Sequence, residues 1–189
     1  MDSRQRLIET TLRLLRSQGL RATGINEIIR QSGAPRGSIY HHFPGGKEQL
    51  VIEALRAAGA LIGAKIGAAM AGQASAAAAL RAFARVHAEE MMQSDYLLGC
   101  PVGNAAADAS ASSPAVRQAC AEIFSAWEQL IAEGFQRAGL DRLPAAALAE
   151  FVVASVEGAL ILCRVRRSMQ PLERVGQQLE WLLSSVTPG

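Results

Sequence analysis

The apolar residues of this chain return at steps of three and four almost from end to end. No stretch alternates with period two for long enough to build a strand. A chain patterned this way buries one stripe of each helix against its neighbours, so the expected fold is all-α. In residues 3–18 the stripe is Leu7, Ile8, Thr11, Leu12, Leu14 and Leu15, and Gly19 is expected to stop that helix as a left-handed cap. Thr23 offers an N-cap to a second helix carrying Ile25, Ile28 and Ile29, which ends at Ser32-Gly33. Pro35 suits the first turn of a brief third helix, which Pro44-Gly45-Gly46 breaks after about Phe43. Further helices are expected from Lys47 to about Gly72, from about Ser75 to Ser94 and from about Pro114 to Ala138. Two more follow, Pro144 to Arg167 and Pro171 to Val186. The stretch 95–113, rich in Gly, Ser and Ala, reads as the one irregular segment.

Half of the 189 residues are apolar, enough for a true core, which excludes collagen-like and broadly disordered classes. The three cysteines, Cys100, Cys120 and Cys163, are spaced by 20 and 43 and fit neither a metal knuckle nor a redox pair. A reducing, cytoplasmic setting is therefore expected. The N-terminal stretch carries charges throughout and does not read as a secretory signal. Residues 54–72 and 144–163 are apolar enough to suggest membrane spans, but Arg56 and Lys65 interrupt one and Glu150 and Glu157 the other.

Net charge is only +2, yet it is unevenly placed. Residues 1–50 hold eight basic and four acidic side chains, and the remainder holds 11 and 13. A basic head on a near-neutral body points to a polyanion, nucleic acid first. Residues 23–43 give it a form: helix, tight glycine turn, short helix, the layout of a helix-turn-helix reader. On a helical wheel Ile39 and Phe43 point inward, while Gly37, Ser38 and His41 lie roughly opposite, with Arg36 and Tyr40 at the flank. Gly37 would let the backbone approach closely, and Arg36 can reach a guanine edge or a phosphate. Ser38 and His41 are compact hydrogen-bonding groups, and the Tyr40 hydroxyl can reach a phosphate oxygen. Lys47, a cation in the first turn of a helix, opposes the macrodipole, and a phosphate held there would remove the conflict. Thr23 could add a hydroxyl or amide contact.

The segment GLRATGINEIIRQSGAPRGSIYHHFPGGKEQL resembles the DNA-binding segment of the TetR family of bacterial regulators. It shares the Gly-x-x-x-Thr entry, the Ile-rich second helix, the glycine turn, and Gly-x-Ile-Tyr-x-His-Phe followed by Lys-Glu-x-Leu. The resemblance implies phosphate or base contacts at Thr23, Arg36, Gly37, Ser38, Tyr40, His41 and Lys47. Where many relatives carry a Ser or Thr cap, this chain has Ala34-Pro35, which removes a side-chain cap and one phosphate contact. LLGCPVGNAAADAS and VRRSMQPLERVGQQLEWLL are similar to the LmrA/YxaF-like branch. That implies about nine helices in two domains: a helix-turn-helix head, residues 1–46, and a ligand-binding and dimerisation body, residues 47–189. It also implies a homodimeric, ligand-responsive repressor of a palindromic operator, with double-stranded DNA and a small hydrophobic effector as partners.

In the body, alanine- and glycine-rich helices facing bulky ones leave gaps, and bundles place ligand sites between helices. Phe83, His87, Met91, Leu98, Cys100, Asn104, Phe124 and Trp127 are the expected ligand-binding residues. Gly59, Gly63 and Gly67 mark either close helix contact or room beside a pocket. Val152, Ser155, Val156, Ala159, Leu160, Leu179, Leu182, Leu183 and Val186 are the expected dimer residues, two helices per subunit pairing about a two-fold axis. The alternative is a small cytosolic enzyme using Cys100 with His87, but no oxyanion donor set is legible. No cofactor or metal site is expected. His41 and His42 are adjacent, diverge by about 100° on a helix and cannot chelate one ion.

Overall fold

The computed structural model describes residues 2–72, 90–109 and 113–186, and the regular structure among them is entirely helical. The helices are α1 (Ser3–Ala22), α2 (Ile25–Ser32), α3 (Ser38–His42), α4 (Gly46–Gly72), α5 (Pro101–Ala109), α6 (Pro114–Arg137), α7 (Arg142–Arg166) and α8 (Gln170–Val186). Residues 90–93 are helical as well. They group into two compact units, Met1–Ala60 with Leu98–Ile123, and Leu61–Leu97 with Phe124–Gly189.

In the first unit, Leu7, Ile8 and Leu14 of α1, Ile28 of α2, Ile39 of α3, Phe43, and Leu50 and Ala54 of α4 form one buried cluster. The Asp2 carboxylate starts α1 by accepting the Gln5 N–H at 2.8 Å, a side-chain cap for an otherwise orphaned donor. Gly19 ends the first stretch of α1 at φ 77°, ψ −176°, a backbone region that essentially only glycine enters, and a short second stretch runs on to Ala22. Gly33, at φ 62°, caps α2 as the glycine turn predicts. The α3 helix is shorter than expected, because residues 36 and 37 form a turn closed by the Ser38 N–H on the Pro35 carbonyl at 2.9 Å. The larger correction is α5, which occupies part of the stretch expected to be irregular. Pro101 opens it, where the missing N–H costs nothing, and an alanine-rich run continues it.

In the second unit α7 packs on α8. Val152, Val156, Ala159, Leu160 and Cys163 of α7 are buried, with Leu179 and Leu183 of α8. Among the described residues α7 alone is long and apolar enough to cross a membrane by length and composition. The reason lies in its two sides. One is core, and the opposite side exposes Phe151, Ile161, Leu162 and Val165. Helix α7 ends on Arg167 at φ 48°, and Asp95 and Tyr96, at φ 53° and 62°, are the other left-handed non-glycine residues described. The three meet: the Arg167 guanidinium pairs with the Asp95 carboxylate and lies over the Tyr96 ring, 5.8 Å from its centroid.

The glycine stripe on α4 makes close helix contact at its start and less of it further along. A Cβ at Gly59 would sit 2.8 Å from the Ile123 side chain, and one at Gly63 would make ordinary contact with Trp127 at 3.6 Å. One at Gly67 would meet nothing within 4 Å.

Candidate nucleic-acid interface

The short α3 is oriented by its inward pair. Ile39 and Phe43 are wholly buried, and the Arg4 guanidinium lies over the Phe43 ring at 5.5 Å while pairing with Glu53. His42 is half-buried, its Nε2 sharing a 2.7 Å hydrogen bond with the Ser3 hydroxyl. The N-terminus of α1 therefore grips the C-terminus of α3. What remains outside is the surface the wheel selected. Arg36, Gly37 and His41 are exposed, Ser38 is half-buried, and Tyr40 is 63% exposed. These are guanidinium, hydroxyl, phenol and imidazole groups on a single turn, chemically suited to phosphate oxygens and base edges.

Lys47 lies beside this turn, at the start of α4. Its ammonium donates to the Leu20 carbonyl at 3.4 Å, and partial burial lowers its pKa from the ordinary lysine value. The carbonyl end of α1 thus supplies the partial negative charge that the start of α4 lacks. Next to Lys47, Glu48 accepts the Ser113 hydroxyl at 2.6 Å, which links the starts of α4 and α6.

Thr23 is a correction. It is wholly buried, its hydroxyl donates to the Gly19 carbonyl at 2.6 Å, and its N–H goes to the Leu20 carbonyl at 3.3 Å. It closes the end of α1, while Gly24 stands at the start of α2 without a side-chain cap. Both its polar groups are spent inside the fold, so Thr23 braces the reading surface instead of belonging to it.

The expected ligand-binding residues are drawn from both units. Leu98, Cys100 and Asn104 belong to the first unit and Met91, Phe124 and Trp127 to the second. Phe83 and His87 lie outside the described residues. Met91 and Trp127 are buried, and Trp127 meets Phe124 edge to face at 5.5 Å. Asn104 joins two helices. Its amide donates to the Leu15 and Arg16 carbonyls at 3.1 and 2.9 Å, fastening α5 to α1. Cys100 is buried, and its sulfur accepts the Gly103 N–H at 3.4 Å.

The expected dimer residues also need correction. Val152, Val156, Ala159, Leu160, Leu179 and Leu183 are buried within their own chain, and Leu182 is half-buried. The side chain of Val186 is outside the description. At about 100° per residue, Ser155 alone of the α7 set falls on the outward side, with Phe151, Gly158, Leu162 and Val165. On α8 the exposed apolar side chain is Trp181. Counting apolar residues without their helical phase selected the inward face.

The geometry agrees with what the chain is similar to. Residues 7–54 match the profile of bacterial regulatory proteins of the tetR family. Residues 76–178 match that of the LmrA/YxaF-like transcriptional regulator C-terminal domain. The HTH-type transcriptional regulator LmrA of Bacillus subtilis is 35% identical over 96% of this chain and 97% of its own length. The uncharacterized HTH-type regulator YxaF of the same organism is 32% identical over 96% and 95%. A crystal structure of a regulatory protein TetR from Rhodobacter sphaeroides, 26% identical, superposes with a TM-score of 0.84 over 93% of this chain and 96% of that one. An exposed helix-turn-helix reading turn beside Lys47, on a chain matched along nearly its whole length, identifies the protein as a member of the TetR family of transcriptional regulators, in its LmrA/YxaF-like group.

Proposed function

We propose that the protein is a homodimeric repressor that binds a palindromic operator and is released by a small hydrophobic effector. The observation that carries the reading is the outward turn Arg36–His41 beside Lys47, held from behind by Ile39 and Phe43. In this reading α3 enters the major groove, Arg36, Gly37, Ser38 and His41 face base edges, and Tyr40 and Lys47 hold phosphates. Residues 1–46 act as the reading head and 47–189 as the effector-binding and dimerising body. The protein works in the cytoplasm, on nucleoid DNA.

A second copy is the occupant proposed for the exposed apolar side of α7. Its small residues Ala154 and Gly158 would let two such helices approach closely, and Phe151, Ile161, Leu162, Val165 and Trp181 of α8 supply apolar area. Pairing about a two-fold axis would set two heads for half-sites about 34 Å apart. The effector site proposed here is in the second unit, beside Phe124 and Trp127, whose rings meet edge to face. It releases DNA only by binding the non-matching conformation more tightly. A coupling of about 1–3 kcal/mol weakens operator binding roughly 5- to 150-fold.

The test is selection of genomic fragments by the purified protein, followed by footprinting at several salt concentrations. The expected result is protection of a palindrome, with binding lost on Tyr40→Ala or Lys47→Ala and unaffected by Cys100→Ser. Failure to prefer any fragment at low ionic strength refutes the reading, and a reporter assay settles repression against activation.

A further inference from the structure

The break in α1 leaves two sets of backbone groups without helical partners, and one face of α5 takes both. A bond from the Leu20 N–H to the Arg16 carbonyl would have to span Gly19, whose φ of 77° and ψ of −176° prevent it. The Arg16 carbonyl instead accepts the Asn104 amide at 2.9 Å and the Gly99 N–H at 3.0 Å. Beyond the break, the Arg21 N–H is in the same position, and it donates to the Asp108 carboxylate at 3.0 Å. Asn104 and Asp108 are four residues apart and share a face of α5. One therefore caps the helix that ends at the break, and the other caps the turn that restarts after it. The fit is close: a Cβ on Gly19 would come within 2.7 Å of the Asp108 carboxylate oxygen.

The backbone between these caps carries the contacts that reach the reading surface. The Gly19 carbonyl takes the Thr23 hydroxyl, and the Leu20 carbonyl takes the Lys47 ammonium. We propose that Asp108 is a positioning residue for DNA binding: by holding the Arg21 amide it fixes the Leu20 carbonyl, and through it the direction of the Lys47 ammonium. This rests on the regulator reading above and assigns it a residue outside the helix-turn-helix. The nearby Arg21 side chain does not explain the carboxylate, because its Nε stands 4.0 Å away and is largely exposed, a geometry of little energetic consequence.

Charge and position predict opposite results. As a mere anion near DNA, Asp108 repels phosphate, so Asp108→Asn would tighten binding. As a positioning residue it is replaced well by Asn, whose amide oxygen still accepts the Arg21 N–H, and binding stays within about twofold of wild type. The test measures affinity for a short duplex of random sequence across a salt series, together with hydrogen exchange at the Arg21 amide. Asp108→Ala should weaken binding to the level of Lys47→Ala and lower the slope of log affinity against log salt by about 1.8, the worth of one phosphate contact in each subunit of the proposed dimer. The double variant Asp108→Ala/Lys47→Ala should be no weaker than Lys47→Ala alone. Additive losses, an unchanged salt slope, or tighter binding by Asp108→Asn overturns the proposal. If Asp108→Ala does not fold, Asp108→Leu, which cannot accept the Arg21 N–H, takes its place with the same expected loss of affinity and salt slope. If the wild type shows no salt-dependent binding, the regulator reading fails. The Arg21 amide, slow to exchange in the wild type and fast in Asp108→Ala, still reports on the cap, and equal exchange rates in the two overturn it.

Discussion

Replacing Ile161 with glutamate tests which side of α7 meets the second copy. Ile161 is 61% exposed on the single subunit. Burying a whole isoleucine side chain is worth roughly 1.5–3 kcal/mol, so covering the exposed part contributes about 1–2 kcal/mol per subunit. A two-fold interface uses the residue twice, so losing it costs about 2–4 kcal/mol before the carboxylate's own desolvation is counted. The dimer dissociation constant should therefore rise at least about 30- to 1000-fold. Sedimentation velocity over a dilution series reads that shift directly. The subunit fold should survive, because the site is at its surface, where a substitution changes stability by about 0.5 kcal/mol or less. Val156→Glu, by contrast, puts a charge into the subunit's own core and should unfold it. An Ile161→Glu protein that stays dimeric with an unchanged constant would refute the assignment of this face.

Three further expectations concern other parts of the chain. Lys47 binds phosphate only when charged, and burial lowers its pKa. DNA affinity should therefore fall as pH rises through that depressed value, at lower pH than an ordinary lysine would cause. Lys47→Arg should flatten the profile in a fluorescence anisotropy titration. Phe43→Ala empties a fully buried site at the base of α3 and should cost about 3–5 kcal/mol in denaturant unfolding. Cys120 is 2% exposed, and burial pushes its thiol pKa up to about 11. It should resist a thiol reagent at neutral pH until the protein is unfolded, and rapid labelling of the native protein would contradict that burial.

The exposed face of α3 was legible because its signal is local. Ile39 and Phe43 fix the inward side of α3 by spacing alone, so the outward residues follow. Thr23 was not, because a threonine before a helix reads as its cap. Only the position of the Gly19 carbonyl, set by a glycine-only backbone angle, shows that it closes α1. Helix α5 escaped for want of contrast. Its Ala-Ala-Ala run gives no strong apolar stripe, and Asn104 and Asp108, which mark its working face, are residues common in loops. The inward face of α7 was selected because the helix is apolar on both sides, and periodicity cannot say which side its own subunit covers.

The contact among Asp95, Tyr96 and Arg167 behaves as a spring held shut. Left-handed backbone costs an L-residue roughly 1–2 kcal/mol, so the three together hold about 3–6 kcal/mol of tension. The catch is weak by comparison, because the ion pair and the ring contact both lie in solvent, which screens them. Backbone hydrogen bonds hold the turns instead, from the Asp95 and Tyr96 N–H groups to the Met92 and Met91 carbonyls and from the Ser168 N–H to the Cys163 carbonyl. A joint held by so few bonds should give way before the helices on either side of it, and a protease added sparingly should make its first cut between Ser94 and Leu97.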